Sequence, residues 1–178
     1  NRSMQAVSEH MGRLGHETKV SIARDESSTY LARIISKKKP AISIIIPCRL
    51  GSHRTIDGKE INLLEHCLQS IKATVDTDFK EATQIINSVE IILVLNHEDD
   101  AAWGNSVLQN YGFDGFSIND DPEFDFARKC NLGAKHATGD ILVFLNDDVQ
   151  LLTNGWIGDI VSLLSESDVA CVGGMLLN

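Results

Sequence analysis

The chain has 178 residues, 43% of them apolar and 23% charged, with 16 Lys and Arg against 25 Asp and Glu for a net charge of −9. That length fits one domain or two small ones, and burying roughly 70% of the extended-chain surface gives a core that needs no staple. The acidic balance argues against a nucleic-acid or anionic-lipid partner and suits a protein that recruits cations to handle an anionic substrate.

Residues 1–40 are polar. MQAVSEHMGRLG and SSTYLARIISK carry short amphipathic patterns that predict a helical N-terminal extension, the second opened by a Ser cap ahead of Tyr30 and Leu31. Lys37, Lys38, Lys39 and Pro40 then read as a solvated boundary, so that residues 1–40 form an extension and residues 41–178 a domain. From Ala41 the pattern is regular. AISIIIP predicts a buried strand. INLLEHCLQSIKATV has Ile61, Leu64, Cys67, Leu68, Ile71 and Val75 at helical spacing. VEIILVL predicts a second buried strand, AAWGNSVLQNY a helix weakened by Gly104, and Phe116–Ile118 a third strand. DPEFDFARKCNLGAKHA reads as a helix with Pro122 near its first turn. DILVFL is a fourth buried strand, WIGDIVSLLSE a helix and VACVGG a fifth strand. Strands alternating with helices predict an α/β fold: a mostly parallel, Rossmann-like sheet covered by helices, with ligands at the carboxyl ends of the strands.

Cys48, Cys67, Cys130 and Cys171 never form CxxC and read as small buried hydrophobes of a reducing compartment. No apolar run approaches the ~18 residues of a spanning helix. The expectation is a cytoplasmic domain without a transmembrane segment, peripheral to a membrane at most within a longer protein. A start without Met and an end inside GGMLLN read as cuts from such a protein.

Chemistry concentrates where predicted strands end. Leu145 is followed by Asn146, Asp147 and Asp148. If that segment stays extended, Asn146 and Asp148 point to one side and Asp147 to the other. Carboxylates suit Mg²⁺ or Mn²⁺, which are usually held by one or two of them plus substrate phosphates and waters. The alternative is that they only cap a turn. Asn119, Asp120 and Asp121 repeat the pattern, with capping of the next helix as the simpler account. PCRLGSHR brings Arg49, His53 and Arg54, either exposed loop residues or phosphate ligands, and Gly51 lets that loop pass close to a ligand. NHEDD supplies Asn96, a hydrogen-bonding group for a base or ribose, while Glu98, Asp99 and Asp100 suit an acidic first turn. No histidine pair has zinc spacing, and GxGxxG, GxxxxGK[ST] and GxSxG are all missing, which removes the common dinucleotide, P-loop and hydrolase readings.

SIIIPCR, EIILVLN and FARKCNLGAKHATGDILVFLNDDVQLLTNGWI together resemble the nucleotide-sugar-binding half of glycosyltransferase family 2, of GT-A fold, from about Ala41 onward. The resemblance implies that Asn146-Asp147-Asp148 stands for the D-x-D motif, with Asp148, helped by Asp147, on a Mn²⁺ or Mg²⁺ ion. Asn146 and Asp147 would face the ribose or donor sugar. Pro47, Cys48 and Arg49 would line the nucleotide pocket, Asn131 and Gly133 would abut the donor, and Trp156 would pack beneath the site or simply in the core. The implied reaction is metal-dependent inverting transfer from a nucleotide diphosphate sugar to an acceptor hydroxyl, on a saccharide or a lipid-linked carrier. Two departures stand out. The family's second strand usually ends in an Asp that contacts the base, and here Leu95 or Asn96 takes that place. The catalytic base lies beyond the fifth strand, in an acceptor-binding half that a chain ending at Asn178 would lack. A non-catalytic nucleotide-binding or assembly module and a sugar-phosphate nucleotidyltransferase therefore stay open as alternatives.

Overall fold

The computed structural model describes residues 2–23, 29–36, 38–56, 58–80, 85–120 and 125–174. Its elements in chain order are α1 (Arg2–Arg13), β1 (Thr18–Ile22), β2 (Tyr30–Ile34), β3 (Ala41–Pro47), β4 (His53–Ile56), β5 (Lys59–Asn62), α2 (Leu63–Lys80), β6 (Ser88–Leu95), α3 (Ala101–Tyr111), β7 (Asp114–Asn119), α4 (Phe126–His136), β8 (Ile141–Phe144) and α5 (Trp156–Leu164). They form two compact units: Asn1–Lys39 together with Gly155–Asn178, and Pro40–Asn154.

Pro40–Asn154 is built on a four-stranded parallel sheet of order β7-β6-β3-β8. β3 and β6 take the centre because their side chains are apolar on both faces, and nearly every residue from Ile42 to Pro47 and from Ile91 to Leu95 is buried. Successive strand residues point to opposite faces. On one face, a Cβ added to Gly133 would lie 2.4 Å from Ile45 Cγ2 and 3.1 Å from Val94 Cγ2, so α4 sits almost on the backbone of the sheet. On the other, a Cβ on Gly104 would lie 3.2 Å from Leu95 Cδ1 and 2.9 Å from Ser117 Oγ, which fixes α3 there. Gly104, expected to weaken its helix, is instead what lets the helix approach.

The entry into β8 is equally tight. A Cβ on Gly139 would fall 2.6 Å from the Ser43 backbone nitrogen. Gly139 N–H donates to Ser43 Oγ (2.8 Å), and the Glu90 carboxylate accepts from Ser43 Oγ (2.5 Å), Thr138 N–H (2.7 Å) and Thr138 Oγ1 (2.8 Å). These bonds hold the Glu90 carboxyl below its ordinary value against the opposing effect of burial. The Ala-Thr-Gly-Asp segment is thus a buckle between α4 and the amino ends of β3 and β6.

Several local expectations are corrected. DILVFL reads as a buried strand, but among the described residues β8 pairs only with β3 and it alternates, leaving Leu142 40% and Phe144 51% exposed. Residues 48–52 stay a loop, as expected for PCRLGSHR, but His53 and Arg54 do not. They open the β4–β5 hairpin, which also takes Ile61 out of α2. α4 starts at Phe126 and is capped by Asp125, whose carboxylate accepts from Arg128 N–H at 3.0 Å. Asp121 and Pro122 lie outside the described residues, as do Ser27, Ser28 and Lys37.

In the other unit, α1 forms as expected, but YLARI is strand β2, paired antiparallel with β1. Five residues make a poor helix, and β-branched Val20, Ile22 and Ile34 across the register favour the pleat. Arg33 joins the hairpin to α5: Nε meets Asp159 Oδ1 at 2.5 Å and Nη2 donates to the Gly155 carbonyl at 3.2 Å. Ile34 N–H donates to Ser162 Oγ at 2.7 Å. VACVGG forms no strand, since residues 169–174 find no ladder partner among the described residues and end in the conformationally costly pair Gly173–Gly174.

Candidate functional site

The strand register brings the candidate residues together. Pro47 is opposite Val94, Ile45 opposite Phe144 and Leu95 opposite Asn119, so β3, β6, β7 and β8 finish at a common edge. Three bonds carry the ladders past the strand ends: Cys48 N–H to Val94 O, Leu145 N–H to Ile45 O and Asp120 N–H to Leu95 O, each 3.0 Å. Cys48–Arg49, Asn96 and Asn146–Asp148 therefore emerge side by side.

The acidic segment is not extended. Asp147 and Asp148 form a turn, with Val149 N–H 3.4 Å from the Asn146 carbonyl. The turn separates the carboxylates by environment. Asp147 is half-buried and accepts from Arg49 N–H at a long 3.4 Å. Its carboxyl is raised above the ordinary value, chiefly by burial and further by the neighbouring Asp148 charge, with the Arg49 amide opposing. Asp148 is exposed and has no hydrogen-bond or ion-pair partner among the described residues. Asn146 is exposed, and its carbonyl lies 3.7 Å from the Cys67 sulfur.

Beneath the turn, burial pushes the Cys67 thiol up to about 12 and raises Cys48 as well, with Asp147 adding to both. These are inert protonated thiols. Pro47 and Cys48 are buried and contribute backbone, whereas the Arg49 side chain is exposed. Asn131 is exposed on α4 and makes no hydrogen bond with the other candidates. His53 and Arg54 are exposed on β4. Trp156 opens α5 in the other compact unit.

Sequence reasoning missed the group at the centre of this edge. Lys129 is 1% exposed. Its Nζ donates to Cys48 O (3.1 Å), Val94 O (3.2 Å) and Asn96 Oδ1 (2.6 Å). Burial lowers its pKa, while Cys48, Asp120, Asp99 and Asp147 favour the charge. Nothing in Ala-Arg-Lys-Cys on an amphipathic helix marks that lysine as buried; only the approach of α4 at Gly133 does. The acids after β6 and β7 also have definite roles. Asp99 Oδ2 accepts from Leu50 N–H and Asn96 N–H, both at 3.1 Å, tying the two strand-end loops together. Asp100 caps α3 through Ala102 N–H at 2.9 Å. The buried Asp120 carboxylate takes a two-point ion pair from Arg128, at 2.9 and 3.2 Å.

The donor set fits a hard divalent cation in its chemistry. One exposed carboxylate without a protein partner sits beside a second on the same turn, and among the described residues no group of three or more His, Cys, Asp or Glu is placed to hold a metal alone. Such a site would need ligands from a bound phosphate or water. Among the described residues no helix is long and apolar enough to cross a membrane.

Over 174 residues the chain is 25% identical to the O-antigen biosynthesis protein RfbC of Myxococcus xanthus, covering 98% of this chain and 12% of that protein. It is 24% identical to the uncharacterized protein y4gI of Sinorhizobium fredii (strain NBRC 101917 / NGR234), covering 97% of this chain and 17% of the relative. Among solved structures it is similar to the mannosyltransferase PcManGT from Pyrobaculum calidifontis, determined in complex with GDP-Man and Mn²⁺, at 14% identity and a TM-score of 0.49 over 93% of this chain and 41% of that one. Residues 43–177 match the family described as Glycosyl transferase family 2. With the parallel sheet and the polar strand-end edge it requires already in view, that match over most of the sequence means that the chain belongs to glycosyl transferase family 2.

Proposed function

We propose that Pro40–Asn154 binds a nucleotide diphosphate sugar at the carboxyl edge of its sheet and serves the metal-dependent, inverting transfer of the sugar to an acceptor hydroxyl. The observation that carries this reading is the exposed, unpartnered Asp148 carboxylate on a turn that also holds Asp147 against the Arg49 amide, in a chain of this family. Asp148, with Asp147 beside it, would hold Mg²⁺ or Mn²⁺ on the diphosphate, where such an ion neutralises charge on the leaving group. The Arg49 guanidinium would add a phosphate contact. Asn96 and Asn146 would hydrogen-bond the nucleoside and sugar, and exposed Asn131 would flank the donor. In the reaction the acceptor oxygen bonds to the anomeric carbon, the bond from that carbon to the diphosphate oxygen breaks, and the acceptor proton passes to a base. No described residue is assigned as that base. The acceptor is a saccharide or lipid-linked hydroxyl, and the setting is the cytoplasm or a membrane surface facing it.

Calorimetry with UDP-, GDP- and dTDP-sugars, with and without Mn²⁺, tests the reading. One of them should bind, and Asp148→Ala should remove the Mn²⁺ dependence and weaken binding about tenfold or more, as for the loss of a charged ligand. Absence of binding by all three, or indifference to Asp148→Ala, would refute it. Asn96 in place of the family's usual Asp favours one rival, a module that binds nucleotide without transferring sugar; turnover by the longer protein would exclude that rival. The loop after β3, residues 48–52, holds a single glycine, a poor version of the Gly-rich phosphate loop a nucleotidyltransferase needs, which speaks against the other.

A further inference from the structure

The Asn96 amide has two different ends, and the structure treats them differently. Its oxygen accepts from the Lys129 ammonium at 2.6 Å. Its nitrogen has no acceptor among the described residues, although Asn96 is half-buried at the strand-end edge. The backbone on either side is pinned, with Asn96 N–H on Asp99 Oδ2 at 3.1 Å and the Asn96 carbonyl taking Asn119 Nδ2 at 2.8 Å. Lys129 is itself fixed by Cys48 O, one residue past β3, and Val94 O, one residue before the end of β6. A buried ammonium has only donors to give and no water to share them with. Rotating the amide by a half-turn would replace the acceptor 2.6 Å from the ammonium by an N–H donor, setting donor against donor beside a buried charge, which is costly. The amide is therefore locked one way round, with its N–H groups left for a ligand.

We propose that Lys129 is a positioning residue that fixes the hydrogen-bond polarity of Asn96, so that the end of β6 offers N–H donors to the edge of the donor's nucleobase. The inference rests on the donor-binding reading above. A carboxylate at this position is acceptor-only and selects N–H on the base; an amide held by Lys129 selects a base carbonyl or ring nitrogen. Lys129 touches no substrate and acts through Asn96.

The test is the set of dissociation constants of UDP, CDP, GDP and ADP, which share the diphosphate and differ at the base edge, measured by calorimetry with Mn²⁺ on the full chain. The unaltered protein should rank the four. Asn96→Asp keeps the ammonium paired but exchanges donor for acceptor, and should change the ratio between the best and worst ligands by about fivefold or more, the worth of one hydrogen bond. Lys129→Met frees the amide to turn and should narrow the spread. A purely structural lysine would weaken all four ligands by a common factor. That result, an unmoved ranking in Asn96→Asp, or equal binding of the four by the unaltered protein would overturn the proposal while leaving donor binding intact. Binding of none of them would overturn the donor-binding reading and this inference together. If circular dichroism shows Lys129→Met unfolded, Asn96→Asp decides alone.

Discussion

Asp147 and Asp148 are adjacent in sequence and opposite in surroundings, and the thiols beneath them show what that interior does to charge. Cys67 rises from 9.0 to about 12 because burial disfavours its thiolate. Above pH 9 the unfolded chain releases this proton while the folded chain keeps it, so the contribution to stability falls with rising pH until about 12. The slope is about 1.4 kcal/mol per pH unit for one such group. Urea unfolding at pH 8, 9 and 10 should show Cys67→Ala losing less stability with pH than the unaltered protein. Parallel pH dependences would show that the thiol is not held protonated. A thiol reagent at pH 8 should label exposed Cys171 at once and Cys48 and Cys67 only after denaturant is added. The sequence showed the acidic triplet and the strand-end asparagine, because residue type and position along a strand are local facts. It could not show Lys129, whose burial depends on a helix crossing two strands far away in the chain.

At the scale of elements, glycine decides how closely the helices approach. Gly133→Ala sets a methyl 2.4 Å from Ile45 Cγ2, and α4 must lift or Ile45 must leave its rotamer. The expected cost is about 1–3 kcal/mol, the usual penalty for overpacking. Because α4 carries Lys129, donor affinity should fall as well. Gly133→Ala with unchanged denaturation midpoint and unchanged binding would show that the helix has room. Gly51→Ala is the control: nothing lies within 4 Å of the added carbon, so only its positive φ of 77° is charged against it. The core strands and α2 to α4 were legible because their apolar runs and helical periods are long. β2, β4 and β5 were not, since four or five residues fit either period and the tertiary partner decides. VACVGG has strand composition and no ladder partner among the described residues; a strand is a property of a pair.

At the scale of the whole chain, Arg33 is the clearest link within its unit, joining the hairpin to residues more than 120 positions later. Arg33→Met keeps the aliphatic stem and removes the ion pair and the bond to the Gly155 carbonyl. It should cost about 1 kcal/mol, since the pair is only partly shielded from water, and should speed amide exchange at Ile34 beside it. Exchange at Ile34 as slow as in the unaltered protein would show that Ser162 Oγ alone holds the hairpin on α5. Sequence reasoning set a boundary near residue 40 and none near residue 155, because residues 1–39 carry no sign that their partners begin at Gly155.

That division has a temporal side. Pro40–Asn154 is 115 residues (154 − 40 + 1) interposed between two stretches that pack with each other. A ribosome adding roughly 5–20 residues per second needs about 6–23 seconds to cross the interval. For that time the nascent hairpin waits without α5, while the four described strands of the central sheet are already synthesised.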